Sequence, residues 1–125
     1  MRYMQRNRFD IDLKFGEMFE DKVRELFEGD GSIEVKTERS VWKKTGNIAI
    51  EIRFKGKPSG ISTTDAKWWI HVLSENSEMV GAFIFKVEKL KERLKELRSH
   101  GKINKVFGGD DNQSEILLVP MRYIW

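Results

Sequence analysis

The amino-acid sequence predicts a single α/β domain in which helices flank a mixed β-sheet. With 125 residues, the chain is long enough to bury one hydrophobic core but not two. Helical and strand-like patterns alternate along it in the order helix, strand, strand, helix, strand, helix, strand, which favours a sheet covered by helices. Its 39% hydrophobic and 34% charged residues are typical of a soluble globular protein with a heavily charged surface. We therefore expect one domain over residues 1–125, with 1–14 as an N-terminal arm or a short strand.

The first half of the chain contains one predicted helix and two predicted strands. A helix is expected over 15–29, where apolar residues recur at helical spacing and a glycine ends the pattern. The segment IEVKTE at 33–38 alternates apolar and charged residues, as a strand does. The segment IAIEIRF at 48–54 is the clearest strand of the chain. It is broken by KGKPSG, which contains a proline and two glycines.

The second half predicts two further helices and two further strands. STTDAKWWIHVL at 62–73 has a serine or threonine available as the N-cap and indicates a helix, with Trp69 in its core stripe. MVGAFIFKV at 79–87 is an apolar run typical of a buried strand. VEKLKERLKELRSHG at 87–101 is an amphipathic helix that ends at a glycine. After a loop, ILLVPMRYI at 116–124 predicts the last strand.

The composition excludes several classes of protein and of site. Because the chain has no cysteine, disulfides, thiolate catalysis and cysteine-bound zinc are excluded, and a reducing cytoplasm is the expected location. His71 and His100 lie far apart in the sequence, so any metal is expected to be a hard, oxygen-bound ion such as Mg²⁺ or Mn²⁺. No apolar stretch approaches the roughly 20 residues that span a bilayer, and the N-terminus lacks the apolar region of a secretory signal. We expect no membrane partner.

Positive charge is concentrated in two zones. Residues 34–57 hold seven Lys or Arg against three Glu, and residues 86–105 hold eight against three. Two basic zones on a small domain are consistent with a polyanionic partner such as DNA. The basic outer face of the helix over 87–101 is either an ordinary solvated surface or a track for a phosphate backbone.

The charged face of the first predicted strand raises the main functional question. If 33–38 and 47–54 pair as a hairpin, Glu34 and Lys36 share a face with Glu51 and Arg53, and the apolar residues of both strands face one core. These residues are either cross-strand ion pairs on a solvated face or a site for hydrolysis of phosphodiesters. Carboxylates bind Mg²⁺, which lowers the pKa of a bound water, and a lysine beside them orients that water or stabilises charge on phosphorus.

Three segments together resemble the PD-(D/E)xK nuclease superfamily, in particular its small phage-type members. They are the helix GEMFEDKVRELF with its Gly16-x-x-x-Glu20 pattern, the tripeptide Glu34-Val35-Lys36, and the segment TGNIAIEIRFKGKPSGISTTDAKWW. The resemblance spans roughly residues 15–73. It implies a restriction-endonuclease-like fold and a Mg²⁺- or Mn²⁺-dependent endodeoxyribonuclease, a hydrolase of duplex or branched DNA. It also implies an intracellular protein of a bacterium or phage-infected host, with a homodimer as a candidate assembly.

The resemblance leaves the identity of the first acid open. Members usually place an aspartate ten or more residues upstream of (D/E)xK, whereas Asp30 is the only Asp available between the helix and the strand here. In one arrangement Asp30 or an acid of the helix replaces it. In the other, Glu34 is the first acid, Glu51-x-Arg53 is a variant of the motif, and Lys36 supplies the amine. We expect catalysis by Glu34, Lys36 and Glu51 with Glu20 behind them, and metal binding by Glu34, Glu51 and Asp30.

Nucleic-acid contacts are expected from the basic residues around the second strand. Trp42 stands among Lys and Arg, an arrangement that suits base stacking together with phosphate contact. The full expected set is Trp42, Lys43, Lys44, Arg53, Lys55 and Lys57. Trp68 is expected either to pack in the core or to stack on a base, and His71 is expected to be structural. The alternative function is a non-catalytic nucleic-acid-binding module of the same fold, and the sequence does not separate DNA from RNA.

Overall fold

The computed structural model describes residues 14, 16–18, 20–26, 28 and 32–124. The backbone divides into two compact units, Met1–Ser32 and Ile33–Trp125. In the first unit the described residues between 14 and 28 are helical and form α1. This agrees with the helix predicted over 15–29, and Leu26, one of its predicted apolar positions, is buried.

One sheet of the second unit has three strands. β1 (Ile33–Glu38) runs parallel to β4 (Trp68–Glu75), which pairs with the antiparallel strand β5 (Glu78–Lys86). The β4–β5 turn consists of Asn76 and Ser77, which both have positive φ. A two-residue turn of this kind matches the twist of the strands that it joins.

A second sheet has four antiparallel strands in the order β3, β2, β7, β6. Its members are β2 (Asn47–Phe54), β3 (Lys57–Pro58), β6 (Lys105–Gly108) and β7 (Ser114–Pro120). The strand predicted over 48–54 is therefore confirmed as β2. The C-terminal strand is confirmed as β7, which ends at the proline that interrupts the apolar run, since proline has no N–H to donate.

Two further helices lie in the second unit, and α3 supplies much of the core. α2 (Val41–Thr45) is a short helix in the connection between β1 and β2, whereas α3 (Val87–Ser99) buries one apolar stripe. The buried core comprises Ile48, Ile50, Ile61, Trp69, Val87, Leu90, Leu94, Leu97, Ile103, Leu117 and Val119. Across the described parts of the chain, no helix is long and apolar enough to cross a membrane. The protein thus has a mixed α/β fold with two sheets and few helices.

The helix predicted over 62–73 is wrong, because Trp68–Glu75 is strand β4. Trp69 and His71 are both 1% exposed and alternate with partly exposed residues, which is the period of a strand. The polar residues before the run form a turn in which the Ala66 N–H donates to Thr64 Oγ1 at 3.2 Å. Such side-chain turns compete with helix capping, so an N-cap signal is ambiguous without a long periodic pattern behind it.

The predicted hairpin between 33–38 and 47–54 is also wrong. β1 pairs with β4, and Glu34 and Lys36 lie beside Trp69 and His71. Paired residues point to the same side of a sheet, so the charged face of β1 is continuous with the face of β4 that carries the buried aromatic rings. Val35, expected in the core, is 55% exposed on the opposite face. The alternation identified which residues share a face of β1, but not which strand lies beside it.

A glycine permits the close approach of the 3₁₀ turn Gly60–Ser62 to β2. Gly60 has φ +54, and a Cβ at this position would lie 2.2 Å from the backbone oxygen of Glu51. Gly56 also has positive φ, but a Cβ there would meet nothing within 4 Å. Substitution of Gly56 therefore introduces backbone strain alone, whereas substitution of Gly60 introduces backbone strain together with steric overlap.

We expect Gly60→Ala to destabilise the protein more than Gly56→Ala. The Gly56 variant carries only the cost of a left-handed alanine, about 1–2 kcal/mol. The Gly60 variant must also move the turn away from β2, which adds roughly 1–3 kcal/mol. Urea unfolding of both variants measures the difference. Equal losses of unfolding free energy would show that the turn does not pack tightly on β2.

Candidate functional site

Glu34 and Lys36 form an accessible pair on β1. The Lys36 Nζ lies 3.5 Å from Glu34 Oε1, and the two side chains are 46% and 37% exposed, respectively. They stand two residues apart on a strand, so they project from the same face. A carboxylate and an ammonium group are thereby held side by side within reach of a ligand from solvent.

Glu51 is a half-buried carboxylate whose two oxygens both accept hydrogen bonds. Ser114 Oγ donates to Glu51 Oε1 at 2.8 Å, and Ser59 Oγ donates to Glu51 Oε2 at 3.0 Å. Ser114 begins β7, and Ser59 belongs to the segment that leads into the Gly60–Ser62 turn. The two hydroxyl groups therefore fix the plane of this carboxylate, and each oxygen keeps lone pairs for a further ligand.

The side chain of Glu38 connects β1 to β2, although these strands form no backbone ladder. Glu38 Oε1 accepts hydrogen bonds from the backbone N–H of Ala49 and from His71 Nε2, the latter at 2.8 Å. In the sequence, Lys36 lies two residues before Glu38 on β1, and Glu51 lies two residues after Ala49 on β2. Within the described residues, however, no hydrogen bond or ion pair joins Glu51 to Lys36.

The hydrogen bonds around His71 define which of its nitrogens carries the proton. Trp69 Nε1, which can only donate, lies 3.1 Å from His71 Nδ1. His71 Nδ1 must therefore accept, and His71 Nε2 donates to Glu38. His71 and Trp69 are almost wholly buried, so the hydrogen bonds of His71 are shielded from solvent. The arrangement agrees with the structural role expected for His71.

Helix α2 is held against the end of β4 by two hydrogen bonds. Trp42 Nε1 donates to the backbone oxygen of Ser74 at 2.8 Å, and Lys43 Nζ pairs with Glu75 at 2.8 Å. Ser74 Oγ in turn donates to the backbone oxygen of Glu38. The N–H of the Trp42 indole is therefore engaged within the fold, while its predicted contact with nucleic acid stays a prediction.

Arg53 does not join the predicted catalytic cluster through a hydrogen bond or an ion pair. Its Nε lies 3.1 Å from Glu115 Oε2, and its NH2 donates to the backbone oxygen of Gly56 at 2.6 Å. Glu115 is also paired with Lys105, at 2.8 Å. The expected placement of Glu51 and Arg53 on one sheet face with the charged residues of β1 depended on the hairpin and is wrong for the same reason.

The other expected nucleic-acid contacts are exposed. Lys44, Lys55 and Lys57 are all on the surface, and Lys55 Nζ lies 5.4 Å from the centre of the Phe54 ring. Glu20 is an exposed residue of α1. Asp30 lies outside the described residues. The roles proposed for Glu20 and Asp30 therefore stay predictions.

Glu34 offers an oxygen ligand of the type that Mg²⁺ binds in proteins. Within the described ranges, no three Asp, Glu or His side chains converge on one point. Mg²⁺ in phosphoryl-transfer sites is commonly held by one or two carboxylates, several waters and the oxygens of the substrate phosphate. Glu34 presents an accessible carboxylate of this kind, and Glu51 is a second carboxylate, on β2, whose oxygens are oriented by two hydroxyl groups.

The residues that sequence reasoning missed are Glu38 and its buried partners. The sequence pattern predicts no separate role for Glu38, and it places His71 in a helix. The available signal was the composition of WWIHVL, because a short apolar run rich in aromatic and β-branched residues favours a strand. A strand there would have brought His71 to one face of a sheet.

We expect Glu38→Ala to destabilise the protein by about 2–4 kcal/mol. The variant leaves the Ala49 N–H and His71 Nε2–H without their acceptor, and each buried unsatisfied group costs about 1–3 kcal/mol. Glu38→Gln keeps an acceptor oxygen and should lose less. Glu75→Ala, which removes only the Glu75–Lys43 pair, is the matched control and should lose at most about 1 kcal/mol. If denaturant unfolding shows that Glu38→Ala loses no more unfolding free energy than Glu75→Ala, Glu38 does not have a central role in stability.

Comparison of this chain with protein-family models, curated proteins and solved structures finds no match. Its restriction-endonuclease-like architecture and its nuclease activity therefore stay predictions from the residues. The fold itself is mixed α/β with two sheets, and the chemistry has to be argued from the groups described above.

Proposed function

We propose that this protein is a metal-dependent endonuclease that hydrolyses phosphodiester bonds of DNA at a centre formed by Glu34, Lys36 and Glu51. The observation that carries the proposal is the Glu34–Lys36 pair, a carboxylate and an ammonium group 3.5 Å apart and both accessible. Hydrolysis of a phosphodiester requires a ligand for a hard cation and a positive charge near the attacked phosphorus. This pair supplies one group of each kind.

Glu34 would hold Mg²⁺ or Mn²⁺ together with oxygens of the scissile phosphate. A bound ion of this type polarises the phosphoryl oxygen and lowers the pKa of a coordinated water. Lys36 carries a compact ammonium group with three donors, which suits it to orient the attacking water or to stabilise charge on the phosphate oxygens.

Glu51 would act as a second, oriented carboxylate of this centre. The hydroxyl groups of Ser59 and Ser114 restrict its rotation, so less conformational entropy is lost when it receives a ligand. Ser59 lies in the segment KGKPSG, which carries two exposed lysines. The same segment would bring positive charge toward a phosphate backbone.

A second candidate function is a nucleic-acid-binding module that does not cleave. It is favoured by the exposed cations of the second unit, since Lys44, Lys55 and Lys57 form no ion pair with any described residue. Exposed cations without acidic partners bind polyphosphates through release of counterions, with no need for a catalytic centre. Binding that persists without cleavage would select this function.

We expect Lys36→Ala and Glu34→Gln to lower the rate of DNA cleavage by roughly 10²-fold or more while leaving DNA affinity nearly unchanged. The loss follows from removal of a group that acts on the transition state, for which factors of about 10²–10⁴ are typical. Nicking of supercoiled plasmid under single-turnover conditions, in Mg²⁺, Mn²⁺ or EDTA, measures it. Linear, single-stranded and branched DNA define the preferred substrate.

Lys89→Ala is the matched control for Lys36→Ala. Lys89 is an exposed lysine that also pairs with a nearby glutamate, Glu92, but it lies on α3 and away from β1 in the sequence. Its variant should cleave at the wild-type rate. If Lys36→Ala also cleaves normally, the proposed centre is wrong. If the wild-type protein binds every DNA but cleaves none, the binding module replaces the nuclease.

A further inference from the structure

Helix α3 separates its charges onto two flanks. On one flank the acids are paired within the helix: Lys89 Nζ lies 3.5 Å from Glu92, and Arg93 NH1 lies 3.3 Å from Glu96. These cations are therefore locally neutralised. Arg93 is further tied to the fold, because its Nε donates to the backbone oxygen of Tyr123 at 2.9 Å.

The opposite flank presents cations that have no such partners. Lys91, Lys95 and Arg98 follow one another at helical spacing, so they lie on one side of α3. All three are exposed, and none forms an ion pair or a hydrogen bond with a described residue. Three positive charges at close spacing repel one another, which costs stability unless a negative ligand lies between them.

These cations form one wall of a cavity of about 410 Å³. Its apolar lining comes from Ile52, Ile61, Leu94 and Leu117, and Ser62 adds a hydroxyl group. A volume in this range is typical of sites for small molecules or for one unit of a polymer. An apolar lining beside a cationic wall suits a ligand with an apolar ring or sugar and a phosphate, such as a nucleotide.

A second cavity of about 620 Å³ adjoins the first, since Lys91 lines both. Its lining also includes Lys67, Trp68 and Lys86, and the one acidic residue of that lining is Glu88. The Lys86 Nζ lies 5.8 Å from the centre of the Trp68 ring, and this indole is partly exposed. An aromatic face among lysines is the arrangement that stacks an unpaired base while its phosphates are neutralised.

We propose that the two cavities form one track that binds single-stranded DNA, with Trp68 stacked on a base and Lys91, Lys95 and Arg98 on phosphates. The inference rests on the proposed function and narrows its substrate to DNA that contains an unpaired segment. From Val87 to Arg98 the helix rises about 16.5 Å, the length of roughly five stacked nucleotides at about 3.4 Å each. Only unpaired bases expose their faces for stacking, so the track should favour single strands over duplex.

Fluorescence anisotropy of a labelled ten-nucleotide single strand, measured in EDTA, tests the track apart from cleavage. We expect Lys95→Ala/Arg98→Ala to weaken binding about tenfold or more. It should also lower the slope of log affinity against log salt by about 1.4, from about 0.7 per lost phosphate contact on a single strand. Trp68→Ala should weaken binding by at least about fivefold, and Trp68→Phe should retain most of the affinity.

Lys89→Ala/Lys102→Ala is the control, because it removes two exposed positive charges without touching either cavity. It should leave the salt slope and the affinity nearly unchanged. An equal loss in this control, or no loss in Lys95→Ala/Arg98→Ala, would overturn the proposal. So would duplex that binds as tightly as the single strand, or polyglutamate that competes as well as DNA. Thermal unfolding verifies that each variant is folded.

The inference and the proposed nuclease fail in different ways. If the centre on β1 is wrong, cleavage is absent or is unchanged in Lys36→Ala, but the anisotropy of the track variants still changes as expected. If the track is wrong, Lys36→Ala still abolishes cleavage, while variants of α3 bind single strands like the wild-type protein.

Discussion

The fold depends on one carboxylate that stands between two sheets. Glu38 ends β1, and its side chain accepts the backbone N–H of Ala49 at the start of β2, where a neighbouring strand would otherwise supply a carbonyl oxygen. An unpaired backbone N–H in a protein interior is costly, so the carboxylate replaces a missing strand contact. The side chain of Glu38 thereby joins the two sheets at a point where no backbone hydrogen bonds link β1 to β2.

The same carboxylate links the core to the candidate site. Through His71 it reaches Trp69, one of the largest fully buried side chains, and through the backbone of β1 it positions Lys36 two residues away. Positioning by a rigid strand and a satisfied buried network is what a catalytic pair needs, since small displacements of catalytic groups reduce rates steeply. Stability and the proposed chemistry therefore depend on the same few hydrogen bonds.

The sequence predicted those elements whose periodicity is long or unambiguous. The apolar stripe of α3 and the alternation of β2 both follow from local spacing, and so does the adjacency of Glu34 and Lys36 on one face of β1. The partner of β1 could not be predicted, because a period of two assigns faces but not neighbours. The contacts of Glu38 with Ala49 and His71 could not be predicted either. These residues come together only when β1 pairs with β4, whose aligned residues lie more than 30 positions further along the chain.

The parallel pairing of β1 with β4 has a consequence for the order of folding. β4 and β5 close through a two-residue turn, a local step that proceeds in microseconds in isolated hairpins. β1 must wait for the intervening chain, because Glu34 is aligned with Trp69 and a parallel pair needs a long crossover connection. β1 should therefore dock late and, lying at a sheet edge, open first in native-state hydrogen exchange. Glu34 and Lys36 would then reach their positions beside β4 only in molecules whose core is already complete.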